Sequence, residues 1–202
     1  GGCGSAGHWW CPACAAGRDL APVAGRVPGS DRTPCSDVLP YRGPGGAAVL
    51  AHKEDGVVAL RRPLGELLAR AVAHALVELA DPGRGEGVAP GRLARLAGEL
   101  LDGVPVVVVP VPSRRAAVRR RGRDALGELA RTASRRLRAG GVDARVVPVL
   151  RHTRRVRDQA GLDAAGRAAN LAGALQVAPS RACRVPDGPF VVVVVDDVVT
   201  TG

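Results

Sequence analysis

A chain of 202 residues, 46% of them hydrophobic, can bury one main core with at most a small appendage. Its formal charge of +10 would ordinarily raise a polyanionic partner, but the excess is nearly all arginine in a chain crowded with Ala, Gly, Val and Pro, the mark of GC-rich coding, so basicity alone is a weak pointer to nucleic acid. No apolar run approaches the roughly eighteen residues of a membrane span and no signal peptide opens the chain, so no membrane insertion and a cytoplasmic location are expected.

The sequence contains no Met, and its last residue falls inside a motif, so it reads as a fragment clipped at both ends. Residues 1–40 are rich in Gly, Pro and Cys and show neither helical nor strand periodicity. Such a stretch cannot build its own core, and is either disordered or cross-linked. The pair Cys11 and Cys14 has the C-x2-C spacing of a zinc knuckle, where one tight turn supplies two tetrahedral thiolates. Cys3 is a third candidate ligand; the fourth would come from Cys35, from His8 or from a cysteine preceding Gly1. A redox dithiol and a set of ordinary thiols remain the alternatives. Trp9 and Trp10, beside Cys11, are expected to cover the zinc site, and Cys183 is expected to be a plain thiol.

Lys53 is the only lysine of the chain. In a sequence that writes arginine everywhere else, a compact and titratable ammonium points to a specific need, set against a lysine left on a solvated loop. From Pro63 to Ala80, Leu64, Leu67, Leu68, Ala71, Val72, Ala75, Leu76 and Leu79 recur on one helical face, with Pro63 in the first turn and Asp81-Pro82-Gly83 as the stop. His74 within it is expected to be a packed or half-exposed helix residue. A polar Gly-rich linker and a short helix over Leu93–Leu101 follow.

Thereafter the pattern changes. Val104–Val111 is a continuous apolar run dominated by β-branched valine, as expected of a strand buried on both faces of a parallel sheet. A helix over Asp124–Leu137, a strand over Ala144–Leu150 and a strand over Phe190–Val195 complete an α/β pattern with crossover helices. Ligands of such sheets bind beyond the carboxyl ends of the strands, so the loops after Val111, Leu150 and Val195 are the ones to inspect. The last strand is expected to be a buried central one that delivers Asp196 and Asp197. Two adjacent carboxylates call for cations or hydroxyl donors, a hydrated metal or the vicinal diol of a ribose. Thr200, Thr201 and Gly202 then supply hydroxyls and N–H groups suited to an anion ahead of a helix.

The stretch VVVVVDDVVTTG resembles the phosphoribosyl pyrophosphate signature of type I phosphoribosyltransferases. Over nearly its whole length the chain resembles the ComF family, bacterial proteins related to DNA-uptake competence that join a cysteine zinc module to a phosphoribosyltransferase domain. The similarity runs through the cysteines, Tyr41-Arg42-Gly43, Lys53, Val109-Pro110-Val111-Pro112, and the series Arg151, Gln159, Leu162, Arg167 and Asn170. It also includes Arg121-Gly122-Arg123-Asp124-Ala125, which departs from the family's Arg-Gly-Phe-Asn-Gln-Ala.

The resemblance implies an α/β fold, a type I phosphoribosyltransferase-like parallel sheet with flanking helices, over residues 41–202, preceded by a zinc-binding module over residues 1–40 that uses Cys3, Cys11, Cys14 and Cys35. It implies that Asp196 and Asp197 serve the ribose during catalysis, that Thr200, Thr201 and Gly202 grip the 5-phosphate, and that Ser113, Arg114 and Arg115 meet pyrophosphate. Lys53, Arg121, Gln159 and Arg167 are the further substrate contacts, residues 151–170 form a hood that closes over substrates, and Mg²⁺ accompanies the ligand. The expected function is transfer of a phosphoribosyl group to an unidentified acceptor, with a link to competence or DNA-uptake proteins. The alternatives are a non-catalytic ribose-phosphate sensor, a module that binds DNA or the competence machinery, and a protein-docking role dominated by the zinc module. With two Trp, one Tyr and one Phe, the chain lacks the aromatic platform for stacking the bases of single-stranded DNA.

Overall fold

The computed structural model describes residues 5, 7–16, 22–26, 34–89, 91–153 and 173–198. Cys3, Gln159, Arg167, Thr200, Thr201 and Gly202, and most of the expected hood, lie outside the described residues. The elements run α1 (Pro12–Ala16), β1 (Val23–Arg26), β2 (Pro34–Asp37), α2 (Gly43–Lys53), a 3₁₀ turn (Val58–Leu60), α3 (Arg61–Ala80), α4 (Leu93–Leu101), β3 (Val106–Pro110), α5 (Arg115–Arg121), α6 (Ala125–Ala139), β4 (Ala144–Val146), β5 (Leu150–His152), β6 (Leu175–Val177), α7 (Pro179–Ala182) and β7 (Val191–Val195).

The centre is a three-stranded parallel sheet in the order β4-β3-β7. Every residue of β3 is buried, as a continuous valine run predicts for a strand covered on both faces. On one face Val106 and Val108 pack with Leu76 and Val77 of α3, Leu93 and Ala97 of α4, and Ala130, Ala133 and Leu137 of α6. On the other, Val107 and Val109 meet Val147 and Val149. Helices α3 and α6 approach so closely that a Cβ on Gly65 would stand 2.5 Å from Thr132 Cβ, which is why α3 carries a glycine in its second turn. Ser134 Oγ of α6 donates to Ala144 O at 2.8 Å and so fastens that helix to β4.

Four expectations change. The strand over Ala144–Leu150 is two strands: Pro148 interrupts it, and β5 turns away to pair antiparallel with β6 in a separate ribbon. Among the described residues strand β7 is not central. It lies at the edge of the described sheet, paired only with β3, and Val192 and Val194 are more than half exposed on one face. The valine run reports β propensity, and neighbours on the outer side are a matter of topology. Residues 1–40 are not without regular structure, since β1 and β2 form an antiparallel hairpin. β2 packs against α3, and Trp10, Val38 and Leu39 join a cluster with Leu60, Leu64 and Leu67. Lastly, Lys53 is on no loop. It ends α2, a helix obscured in the sequence by its glycine-rich start, Gly43-Pro44-Gly45-Gly46. No helix among the described residues is long and apolar enough to cross a membrane.

Candidate functional site

Parallel strands put their carboxyl ends on one side, and here that brings three loops together. Val111 N, just past β3, donates to Val195 O at 3.0 Å, so the segment leading to Ser113 and Arg114 starts beside the segment leading to Asp196. His152 Nε2 at the end of β5 lies 2.8 Å from Pro112 O, tying in the third loop. Ser113 and Arg114 are half-buried there, whereas Arg115 is exposed at the start of α5.

The acid pair sits at this end. Asp197 N donates to Asp196 Oδ1 at 2.8 Å, which folds the two carboxylates into one compact turn. Lys53 Nζ reaches Asp197 Oδ2 at 2.7 Å, with the aspartate side chain largely buried and the lysine one-third exposed. The sequence places these partners far apart; tertiary structure joins the single lysine to the acid pair. Asp196 remains exposed as a residue, but its carboxyl is crowded by protein. Lost hydration, and then the neighbouring charge of Asp197, push its pKa up to about 7, against the opposing pull of the Asp197 N–H and of Lys53. Near neutral pH this group therefore exchanges its proton readily, and it can either accept from a hydroxyl or donate to an oxygen.

A cavity of about 280 Å³ opens beside the pair. Asp196, Asp197 and Val198 form one wall, Leu39 and Tyr41 from the β2–α2 connection form another, and Leu64 and Leu68 of α3 form an apolar floor. A larger hollow of about 420 Å³ between the linker and α4 contains none of the expected site residues and is lined by mixed charge, including Arg84, Glu86, Arg95 and Glu99. Chemistry and geometry both favour the smaller one.

Arg121 does not join this wall. Its NH1 donates to Lys53 O at 2.9 Å and its Nε to Ala117 O at 3.2 Å, with the side chain 8% exposed. Arg123 lies beside it, donating through NH1 to His52 O at 3.1 Å and through Nε to Glu128 Oε1 at 3.1 Å. His52 is buried, and burial, the largest influence, holds its pKa below the usual histidine value, so the ring is neutral at pH 7. His52 and Glu128 were not singled out by the sequence, and Arg123 appeared there only as a departure from the family's pattern. The available signal was two arginines flanking a glycine directly before Asp124, which caps α6 by accepting from Gly127 N at 3.2 Å.

At the other end of the chain, Cys11 and Cys14 are both buried in the short α1 region, and Cys14 N donates to Cys11 Sγ at 3.4 Å. That N–H···S bond closes a tight turn around the Cys11 sulfur, a geometry that suits a metal-binding turn. Among the described residues no group of three or more His, Cys, Asp or Glu side chains is gathered for a metal. Cys35 lies on β2, where burial and then Asp37 raise its thiol pKa. No family model, curated protein or solved structure matches the chain.

Proposed function

We propose that this chain is a phosphoribosyltransferase-like protein that binds phosphoribosyl pyrophosphate with Mg²⁺ and passes the phosphoribosyl group to an acceptor. The observation that carries the reading is the acid pair Asp196–Asp197 at the carboxyl end of a parallel strand, neutralised in part by Lys53 and bordered by the loop after β3. A parallel sheet with helices packed on it, ending in two carboxylates, is compatible with a type I phosphoribosyltransferase fold. In the transfer, the bond from ribose C1 to the pyrophosphate oxygen breaks, pyrophosphate leaves with the electron pair, and the acceptor's lone pair forms the new bond to C1. Positive charge builds on the ring between these events. Carboxylates on the ribose hydroxyls supply negative potential to it. Ser113 and Arg114 would face the leaving pyrophosphate, for which a guanidinium is a suitable donor. Mg²⁺ would be bound largely through ligand oxygens and water and would neutralise the pyrophosphate.

Calorimetry with phosphoribosyl pyrophosphate and Mg²⁺ tests this directly. Binding is expected for the chain and is expected to be lost when Asp196→Asn and Asp197→Asn are combined; absence of binding, or binding that ignores the double substitution, refutes it. Binding with no release of pyrophosphate across a panel of nitrogenous bases turns the reading to a sensor. A structural zinc held by Cys11 and Cys14 with further ligands is the second part of the proposal, supported by the paired buried thiols and their N–H···S bond.

A further inference from the structure

A helix leaves the C=O groups of its last turn without intrahelical partners. At the end of α2 these groups are met in an unusual way. Ala51 O accepts from Val57 N at 3.0 Å, but His52 O and Lys53 O accept from side chains, Arg123 NH1 at 3.1 Å and Arg121 NH1 at 2.9 Å. Both donors come from one turn distant in sequence. Gly122, at φ +67, takes the left-handed conformation that lets α5 stop and the chain reverse into α6, which leaves Arg121 and Arg123 side by side. Two cations at a helix C-terminus also meet its partial negative charge. Each arginine is itself held: Arg123 forms a two-pronged pair with Glu128 and lies 3.1 Å from His52 Nε2, while Arg121 is anchored on Ala117 O.

We propose that Arg121 and Arg123 are positioning residues for Lys53: the Arg121-Gly122-Arg123 turn clamps the last two carbonyls of α2, and this fixes the backbone from which the ammonium reaches Asp197. A free lysine side chain has many rotamers, and holding its head gives up much of that rotamer entropy. The clamp cannot remove that cost. It confines the starting point of the side chain, so that the rotamers compatible with Asp197 form a larger share. Arg121 is unsuited to meeting a ligand directly, being 8% exposed with its NH1 and Nε already donating to carbonyls. Arg120, by contrast, is exposed and takes no carbonyl of α2: it meets only the Glu54 carboxylate, at 3.3 Å, which Arg121 Nε also approaches at 3.9 Å. The inference stands on the lysine, the acid pair and the turn, and holds whatever ligand the pair serves.

The single lysine gives a clean test, since an amine-reactive ester labels one side chain besides the α-amino group. The labelling rate of Lys53 is followed by peptide mass spectrometry at fixed pH. Asp197→Asn is expected to raise the rate about twofold to fivefold, the release expected for a partly exposed ion pair. Arg121→Met, which keeps an apolar stem but no donor, is expected to raise it comparably, and the two changes together no further than Asp197→Asn alone. Arg120→Ala is expected to leave it unchanged. A wild-type rate in Arg121→Met, additive effects in the double variant, or an unchanged rate in Asp197→Asn overturns the proposal. If Arg121→Met does not give the wild-type circular dichroism spectrum, Arg123→Met is read by the same criteria, and failure of both to fold overturns it too, because the arginines would then be needed for the fold and not for the lysine.

Discussion

Replacing Asp196 by Asn while varying pH is the most informative perturbation, because the structure gives the size of the effect. Burial and the charge of Asp197 place the Asp196 pKa at about 7. If the ligand needs the ionised carboxylate to accept its hydroxyl hydrogen, affinity follows the ionised fraction. That fraction is about one in eleven at pH 6 and about ten in eleven at pH 8, a rise of roughly tenfold across the two units. Phosphoribosyl pyrophosphate titrates too, so the wild-type affinity alone mixes two proton equilibria. Dividing it by the affinity of Asp196→Asn at each pH cancels the ligand's share. Calorimetry at pH 6, 7 and 8 with Mg²⁺ fixed should therefore give a ratio that climbs about tenfold, half of the change in ionised fraction lying on each side of pH 7. A ratio constant within about twofold, or one that falls with pH, refutes the assignment of Asp196 as an acceptor whose proton is held by its surroundings.

Other outcomes follow from the same geometry. A folded-state pKa raised above the unfolded value of 3.8 favours folding most below about pH 4, and the benefit is lost as pH rises through about 7. Asp196→Asn should therefore melt above the wild type at pH 8, with the gap closing as the pH falls toward 4; thermal scans in a pH series check this, and a gap that widens in acid contradicts it. Gly65→Ala forces a Cβ to within 2.5 Å of Thr132 Cβ, which is fixed to the backbone of α6 and cannot rotate away. Overpacking of about 1–3 kcal/mol set against a gain of about 1 kcal/mol in helix propensity leaves a net loss of up to about 2 kcal/mol, to be read by urea titration. Metal analysis should find about one Zn²⁺ per chain, lost when Cys11 and Cys14 become Ser; equal stability of metal-free and metal-bound protein would count against a structural zinc.

Much of the architecture was legible in local pattern. The helical recurrence of leucine and alanine between Pro63 and Ala80 identified α3, within two residues of its actual start at Arg61, because an amphipathic face is written at fixed spacing. The buried strand Val106–Pro110 was legible as Val104–Val111 for a different reason, a continuous apolar run with no polar face, and a second such run marked the position of Asp196 and Asp197 just past a strand end. Helix α2 was not legible, since Gly43-Pro44-Gly45-Gly46 has poor helix propensity and its stability comes from packing on the Leu60 and Leu64 cluster. The hairpin of β1 and β2 was missed because its strands are four residues each and mostly exposed, too short to show an alternation.

What the sequence determined by itself was the class of chemistry available: two carboxylates after a valine strand, one lysine, and paired cysteines near the start. Only the tertiary structure decided which of these act together. It set Lys53 against Asp197, moved Arg121 from the expected ligand wall to the end of α2, and placed β7 at an edge of the described sheet. The physical reason is the range of the forces concerned. Propensity and hydrophobic periodicity act over a few residues and are readable along the chain. Ion pairs and carbonyl caps depend on contacts of about 3 Å between segments that only the packing of α2, α5 and α6 around the sheet brings together.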